Sequence, residues 1–129
     1  MSSLKVPVLS IIISEAGSGG ALAVAVSDEV WMLENANYAI LSPEGYASIL
    51  WKDSKRASEA AAEMKLTAKD MKDNRIIEKI IAEPENLCKD NIDVVVAQLR
   101  DGISGFIGSN IDFDGEELTK KRYDRYRSY

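Results

Sequence analysis

Gly17-Ser18-Gly19-Gly20 places three glycines in four positions, after an apolar segment and before Ala21-Leu22-Ala23-Val24-Ala25-Val26. At a strand-to-helix junction, backbone amides with no side chain above them let a ligand approach closely. The first N–H groups of a helix lack intrahelical partners, and the helix dipole favours negative charge there. Such a turn could bind a phosphate or hold a developing oxyanion, where one donor is worth about 3 kcal/mol of barrier. It could equally be a turn that needs glycine only for close packing, and the residues leave both readings open. The spacing is not a P-loop, because no Gly-Lys-Ser/Thr follows. The G-x-G start at Gly17-Ser18-Gly19 lacks the third glycine of the dinucleotide fingerprint, Ala23 being the nearest small residue.

The rest of the sequence offers little acid–base chemistry. There are no histidines, which removes a histidine base, Ser-His and Cys-His dyads and histidine-ligated metals. A single cysteine, Cys88, removes an internal disulfide and a cysteine zinc cage. Ser18 has no base beside it in the sequence and is not read as a nucleophile. Glu15 could serve as an acid or base, but a cap or an ion-pair partner is the plainer role. Glu44 falls in a helix first turn, where its charge satisfies amides. Cys88 lies in a polar linker and reads as an exposed thiol. Trp31 and Trp51 read as core or interface anchors.

Against 16 Lys and Arg stand 21 Asp and Glu, a net charge of −5. That balance argues against nucleic acid as a partner. The basic residues gather at the end, in Lys120, Lys121, Arg122, Arg125 and Arg127, interleaved with Tyr123, Tyr126 and Tyr129. The cluster reads as a solvated helix face or an arm that docks on a partner. No apolar run approaches the ~20 residues of a membrane span. The first residues lack a signal-peptide layout, so no membrane partner and a cytoplasmic location are expected.

These groups need a scaffold. Val6 to Ile13 is apolar and β-branched, as in a strand buried on both faces. The glycine turn should then open a helix that is apolar nearly all round and therefore buried. Asp28–Leu33 and Tyr38–Leu41 predict further strands. Ser42-Pro43-Glu44 predicts a helix start, with Ser as N-cap and Pro in the first turn, running to about Trp51. An alanine-rich helix is expected over Lys55–Lys65. A near capping box at Thr67-Ala68-Lys69-Asp70 opens a short helix, and Ile76–Ile81 predicts another strand. Strand–helix alternation argues an α/β fold with mostly parallel pairing. After the break at Glu83-Pro84-Glu85-Asn86, the helical spacing of Val94, Val95, Leu99, Ile103 and Phe106 predicts a covering helix. A charged helix follows from Gly115 to Tyr129. Residues 4–84 are thus expected as a compact core and 85–129 as a helical extension.

Several strings carry a resemblance: Val8 to Val26, Pro43-Glu44-Gly45, Ala47-Ser48-Ile49-Leu50-Trp51-Lys52, Leu66-Thr67-Ala68-Lys69-Asp70, Ile80-Ile81-Ala82-Glu83-Pro84 and the terminal Arg122-Tyr123-Asp124-Arg125-Tyr126. Together they resemble the bacterial acetyl-CoA carboxylase carboxyltransferase alpha subunit, over the chain up to about residue 84 and again at its end. The resemblance implies a crotonase-like (ClpP/crotonase) spiral of ββα turns. It implies transfer of a carboxyl group from carboxybiotin, borne on a biotin carboxyl carrier protein, to acetyl-CoA, giving malonyl-CoA for fatty acid synthesis. It implies a carboxyltransferase beta subunit as partner, alpha–alpha self-association and no metal in this chain. By position Gly19 and Gly20 match the oxyanion pair for the biotin urea oxygen, with Gly17 and Ala21 supporting substrate binding.

The departures from that family define further expectations. The family's long segment before the first strand is absent, so the chain reads as a C-terminal portion truncated at its N-terminal side, inactive alone, with an exposed sheet edge and apolar surface. Ala16 stands where the family has glycine, and would distort the turn if that position needed positive φ. Tyr46 replaces a cysteine. Glu85-Asn86-Leu87-Cys88-Lys89 replaces a glycine-rich basic segment. The alternative from another class is a non-catalytic interaction fragment that keeps only the subunit interface. A third reading, a crotonase-type hydratase or isomerase, lacks an obvious pair of glutamates.

Overall fold

The computed structural model describes residues 1–129. Two small parallel sheets organise the chain. The larger contains β1 (Leu9–Ile12), β3 (Glu29–Leu33) and β5 (Lys79–Ile81) in the order β1-β3-β5. The smaller pairs β2 (Glu15–Gly17) with β4 (Asn37–Ala39). All three ladders are parallel, as the alternation of elements predicts. The central strand β3 is buried on both faces from Val30 to Leu33, which is why its sequence is apolar without alternating.

Helices fill the connections. They are α1 (Ser18–Val24), α2 (Pro43–Trp51), α3 (Ala57–Met64) after a 3₁₀ turn at Ser54–Arg56, α4 (Ala68–Asp73), α5 (Ile92–Asn110) and α6 (Gly115–Arg127). The predicted starts hold. The Ser42 hydroxyl accepts the Gly45 N–H, and Thr67 and Asp70 cap each other reciprocally. Met32 and Ile81 are wholly buried at the centre of a core that also takes in Met71, Ile77, Val95 and Phe106. Helix α5 covers the sheet as its spacing predicts, with Phe106 edge-on to Trp31 at 6.4 Å between ring centres. Gly102 lets it sit there, since a β-carbon would come within 2.9 Å of the Trp31 ring. Ala47 and Ala60 are buried where α2 and α3 pack closely, outside that core.

Four expectations are corrected. Helix α1 buries none of its residues, and Leu22 and Val24 are more than half exposed; its apolar sequence fits a covering surface that this chain does not supply. The strand expected over Tyr38–Leu41 is Asn37–Ala39, because pairing with the short β2 limits it. The strand expected over Ile76–Ile81 begins only at Lys79, because Ile76 and Ile77 close the turn after α4 through N–H bonds to Met71 O. The basic C-terminal cluster docks on its own chain. Arg122 is 1% exposed against Asp28, and Arg125 pairs with Glu78. The outer edge of β1 has no partner in the chain and Ile13 is exposed, as the sequence predicts.

Candidate functional site

The glycine turn forms where β2 runs straight into α1. Gly17 is extended, at φ −135°, and pairs in register with Ala39 of β4. Ser18 then takes the left-handed conformation at φ 63°, which turns the chain abruptly into the helix. Ala16 is an ordinary strand residue paired with Tyr38, so the alanine there carries no positive-φ strain. The expected distortion at that position does not arise.

Glycine at 19 and 20 is not required by packing or by backbone conformation. A β-carbon on either would meet nothing within 4 Å, and no glycine has positive φ. Even at Gly17 the nearest atom, Ala39 O, would be 4.0 Å away. The N–H groups of Gly19 and Gly20 have no carbonyl partner, as expected for the first turn of a helix. No side chain caps that end either. Two adjacent donors are therefore free, with open space over both α-carbons.

Three clefts meet at this turn. The first, about 480 Å³, lies between Glu15, Gly17 and Ser18 on one wall and Asn37, Ser42 and Leu66 on the other. The second, about 240 Å³, is apolar and runs from Gly19 and Leu22 to Tyr38, Ile40 and Met71. The third, about 410 Å³, lies beside β1 and is bordered by Gly17, Gly20 and Ala21. All four sequence-predicted site residues, Gly17, Gly19, Gly20 and Ala21, thus sit on one turn. Gly19 faces a different cleft from Gly20 and Ala21. Burial pushes the Tyr38 hydroxyl above the ordinary tyrosine range, so this wall of the apolar cleft stays an uncharged phenol at neutral pH.

The other candidates lie apart or take plain roles. Glu15 is exposed and forms no ion pair. Glu44 is the acid of the α2 first turn. Cys88 is exposed. Trp31 is core, whereas Trp51 is half-buried, with Tyr46 edge-on and the Arg56 guanidinium 4.0 Å over its ring. No group of acidic, cysteine or histidine side chains is arranged to hold a metal. No helix is long and apolar enough to cross a membrane.

Sequence reasoning missed the polar residues at the far end of α1. Ser10 Oγ donates to Val24 O at 2.6 Å, Ser27 Oγ donates to Glu29 O at 2.7 Å, and the Tyr126 hydroxyl donates to Ala25 O. Tyr126 lies 101 residues from Ala25, and no local spacing announces such a contact.

Comparison with known proteins gives one consistent answer. A profile of the family described as acetyl co-enzyme A carboxylase carboxyltransferase-like matches residues 1–129. The chain is 52% identical over 127 residues to the acetyl-coenzyme A carboxylase carboxyl transferase subunit alpha of Clostridium acetobutylicum, covering 98% of this chain and 46% of that protein. It is 50% identical over 129 residues to the subunit alpha of Streptococcus uberis, covering 100% of this chain and 49% of that one. It is also 49% identical to a Clostridium tetani protein named as subunits beta/alpha, covering 98% of this chain and 22% of that longer one. The chain thus spans about half the length, or less, of the curated relatives it matches. Among solved structures, the 12S core of transcarboxylase, with methylmalonyl-coenzyme A and methylmalonic acid bound, superimposes with a TM-score of 0.67 at 17% identity. The match covers 85% of this chain and 21% of that one. That likeness shows the fold, a crotonase-like ββα architecture with a helical extension.

Proposed function

Since this chain belongs to the acetyl-CoA carboxylase carboxyltransferase family, we propose that it supplies the biotin side of a carboxyl transfer that converts acetyl-CoA to malonyl-CoA in fatty acid synthesis. The observation that carries the reading is the pair of unpartnered amides at Gly19 and Gly20, with nothing within 4 Å of where a side chain would begin. Carboxybiotin, brought by a carrier protein, would supply the carboxyl group.

The chain's own part is electrostatic. The Gly19 and Gly20 N–H groups would donate to the urea oxygen as negative charge develops on it. Fixed donors aimed at developing charge lower a barrier without reorganising. With seven residues, α1 adds only a modest dipole, so the two amides themselves supply most of the effect. Gly17 would set the approach through its pairing with β4, and Ala21 would border the ligand with a side chain small enough to keep the cleft open. The residues present fit a neutral urea oxygen: donors, no competing carboxylate among the four, and no bulk.

Acetyl-CoA binding and proton removal are assigned to a carboxyltransferase beta subunit. The fused beta/alpha relative supports that partnership. A biotin carboxyl carrier protein completes the set, and alpha–alpha self-association is expected of the assembled subunit. Residues 4–84 would form the carboxyltransferase core and 85–129 the helical extension that braces it. The site needs no membrane or nucleic acid, consistent with action in the cytoplasm.

The experiment is Gly20→Val in the reconstituted carboxyltransferase. With φ negative and open space above the α-carbon, valine leaves the fold intact and places methyl groups over the donors. Turnover should fall by about 10²–10³, the effect of losing one such donor. Turnover within threefold of wild type, with the fold intact, removes the oxyanion assignment.

A further inference from the structure

Helix α1 is held in an unusual way. It has seven residues, includes two glycines, buries no side chain and has no N-terminal side-chain cap. Helices this short are marginal on their own, and glycine weakens them further. Side-chain packing does little for it: behind α1 a cleft of about 580 Å³ opens between Leu22 and Val26 on one side and Tyr123 and Tyr126 on the other. Two things fix the helix. Its N-terminal end continues from β2, whose Gly17 pairs with Ala39. Its C-terminal end is gripped by hydroxyls.

That grip is specific. Ser10, on β1, donates to Val24 O at 2.6 Å. Tyr126, on α6, donates to Ala25 O and accepts the Ser27 N–H at 3.3 Å, so one phenol closes both sides of the chain as it leaves α1. The phenol is itself held. Four positions before it Arg122 is locked to Asp28, and one position before it Arg125 is locked to Glu78. The helix is rigid along its hydrogen bonds, so fixing Val24 and Ala25 fixes where its first amides point, roughly 9 Å away along the axis.

We propose that Tyr126 is a positioning residue for the glycine turn: together with Ser10, its hydroxyl anchors the C-terminal end of α1 and so sets the direction of the Gly19 and Gly20 amides. This rests on the assignment of those amides given above, and its test reads the anchor separately from the chemistry.

Tyr126→Phe keeps the ring and its edge-on contact with Tyr129 and removes only the hydroxyl. Hydrogen exchange would be followed amide by amide on the full chain. Exchange at Leu22–Ala25 and Ser27 should quicken by about fivefold, the effect of one net hydrogen bond, while Val30–Met32 in β3 stay unchanged. Unchanged exchange in α1, or the same acceleration in β3, overturns the proposal. Should Tyr126→Phe fail to fold, Ser10→Ala is the second probe. It should loosen the same amides, and no change there overturns the anchor equally.

In the reconstituted enzyme, kcat for Tyr126→Phe should fall by about fivefold to tenfold, as a misplaced donor would lower it, with KM for acetyl-CoA unchanged. Faster exchange in α1 with unaltered kcat would refute the positioning role. Faster exchange and lower kcat, with Gly20→Val still fully active, would keep the anchor and remove the oxyanion assignment instead.

Discussion

Arg122 offers the sharpest test of how the chain is held together. Its guanidinium is 1% exposed and grips Asp28 in a fork, Nε to Oδ1 at 3.0 Å and Nη2 to Oδ2 at 2.8 Å. The remaining donors reach the carbonyls of Met1, Ser2, Leu4 and Val6 at 2.9–3.2 Å. Asp28 in turn accepts the Val8 N–H at 2.7 Å, at the entry to β1. Replacing Arg122 by Met removes a cation of similar length and leaves Asp28 buried without its partner. Breaking a buried pair from one side costs about 3–5 kcal/mol. Domains are stable by only about 5–15 kcal/mol in total. With a urea m-value near 2 kcal/mol per molar, the unfolding midpoint should fall by about 1.5–2.5 M. Asp28→Asn in the same background should recover part of the loss, because it removes the stranded charge and keeps an oxygen for Val8. Urea titration of the single and double variants by tryptophan fluorescence reads both steps, Trp31 lying in the core. A midpoint shift below about 0.5 M for Arg122→Met, or a double variant no better than the single, would refute the view that this pair is a desolvated structural bond.

Two further substitutions test the backbone geometry. Gly102→Ala should destabilise the chain by about 1–2 kcal/mol although alanine favours helix, because its β-carbon would fall 2.9 Å from the buried Trp31 ring and push α5 away. A stability gain in a thermal melt would show that α5 is free to shift. Ser18→Gly should stabilise by about 0.5–1 kcal/mol, since Ser18 holds φ 63° where glycine is unstrained. The melt should rise by roughly 2–5 °C, and a fall would show that the serine side chain contributes something its conformation does not reveal.

Much of the fold was legible because it rests on local signals. The capping pairs at Ser42 and Thr67, the β-branched run leading into Ile12 and the helical spacing of Val95, Leu99 and Phe106 all involve residues within a few positions of each other, and each yielded the expected element. The four candidate site residues were legible for the same reason, since Gly17 to Ala21 is a single turn. Two kinds of fact were not. Burial of α1 could not be read from its own apolarity, because whether a surface exists to cover it is a property of the rest of the assembly. The lengths of β4 and β5 were set by their partners, β2 and the turn after α4, rather than by their own β-branched content.

The C-terminal helix shows how a surface-like sequence can be structural. Arg122, Arg125 and Tyr126 fall at i, i+3 and i+4, the spacing that gathers side chains on one face of a helix. That spacing was visible, but a basic, tyrosine-rich face reads equally as solvated or docked until its acceptors are known. The acceptors are Asp28, which sits just before β3, Glu78, which sits just before β5, and the carbonyl of Ala25 at the end of α1. Glu78 also takes the Val30 N–H at 2.7 Å, so the Arg125 contact reaches into the ladder of the central strand. One helical face thus ties the start of two sheet strands to the helix that presents the glycine amides. The polar residues of α6 therefore belong to the same structural unit as the glycine turn, although they are about 100 residues away and contact none of its amides. A substitution on that face that left every side chain of the turn untouched would still change where its donors point.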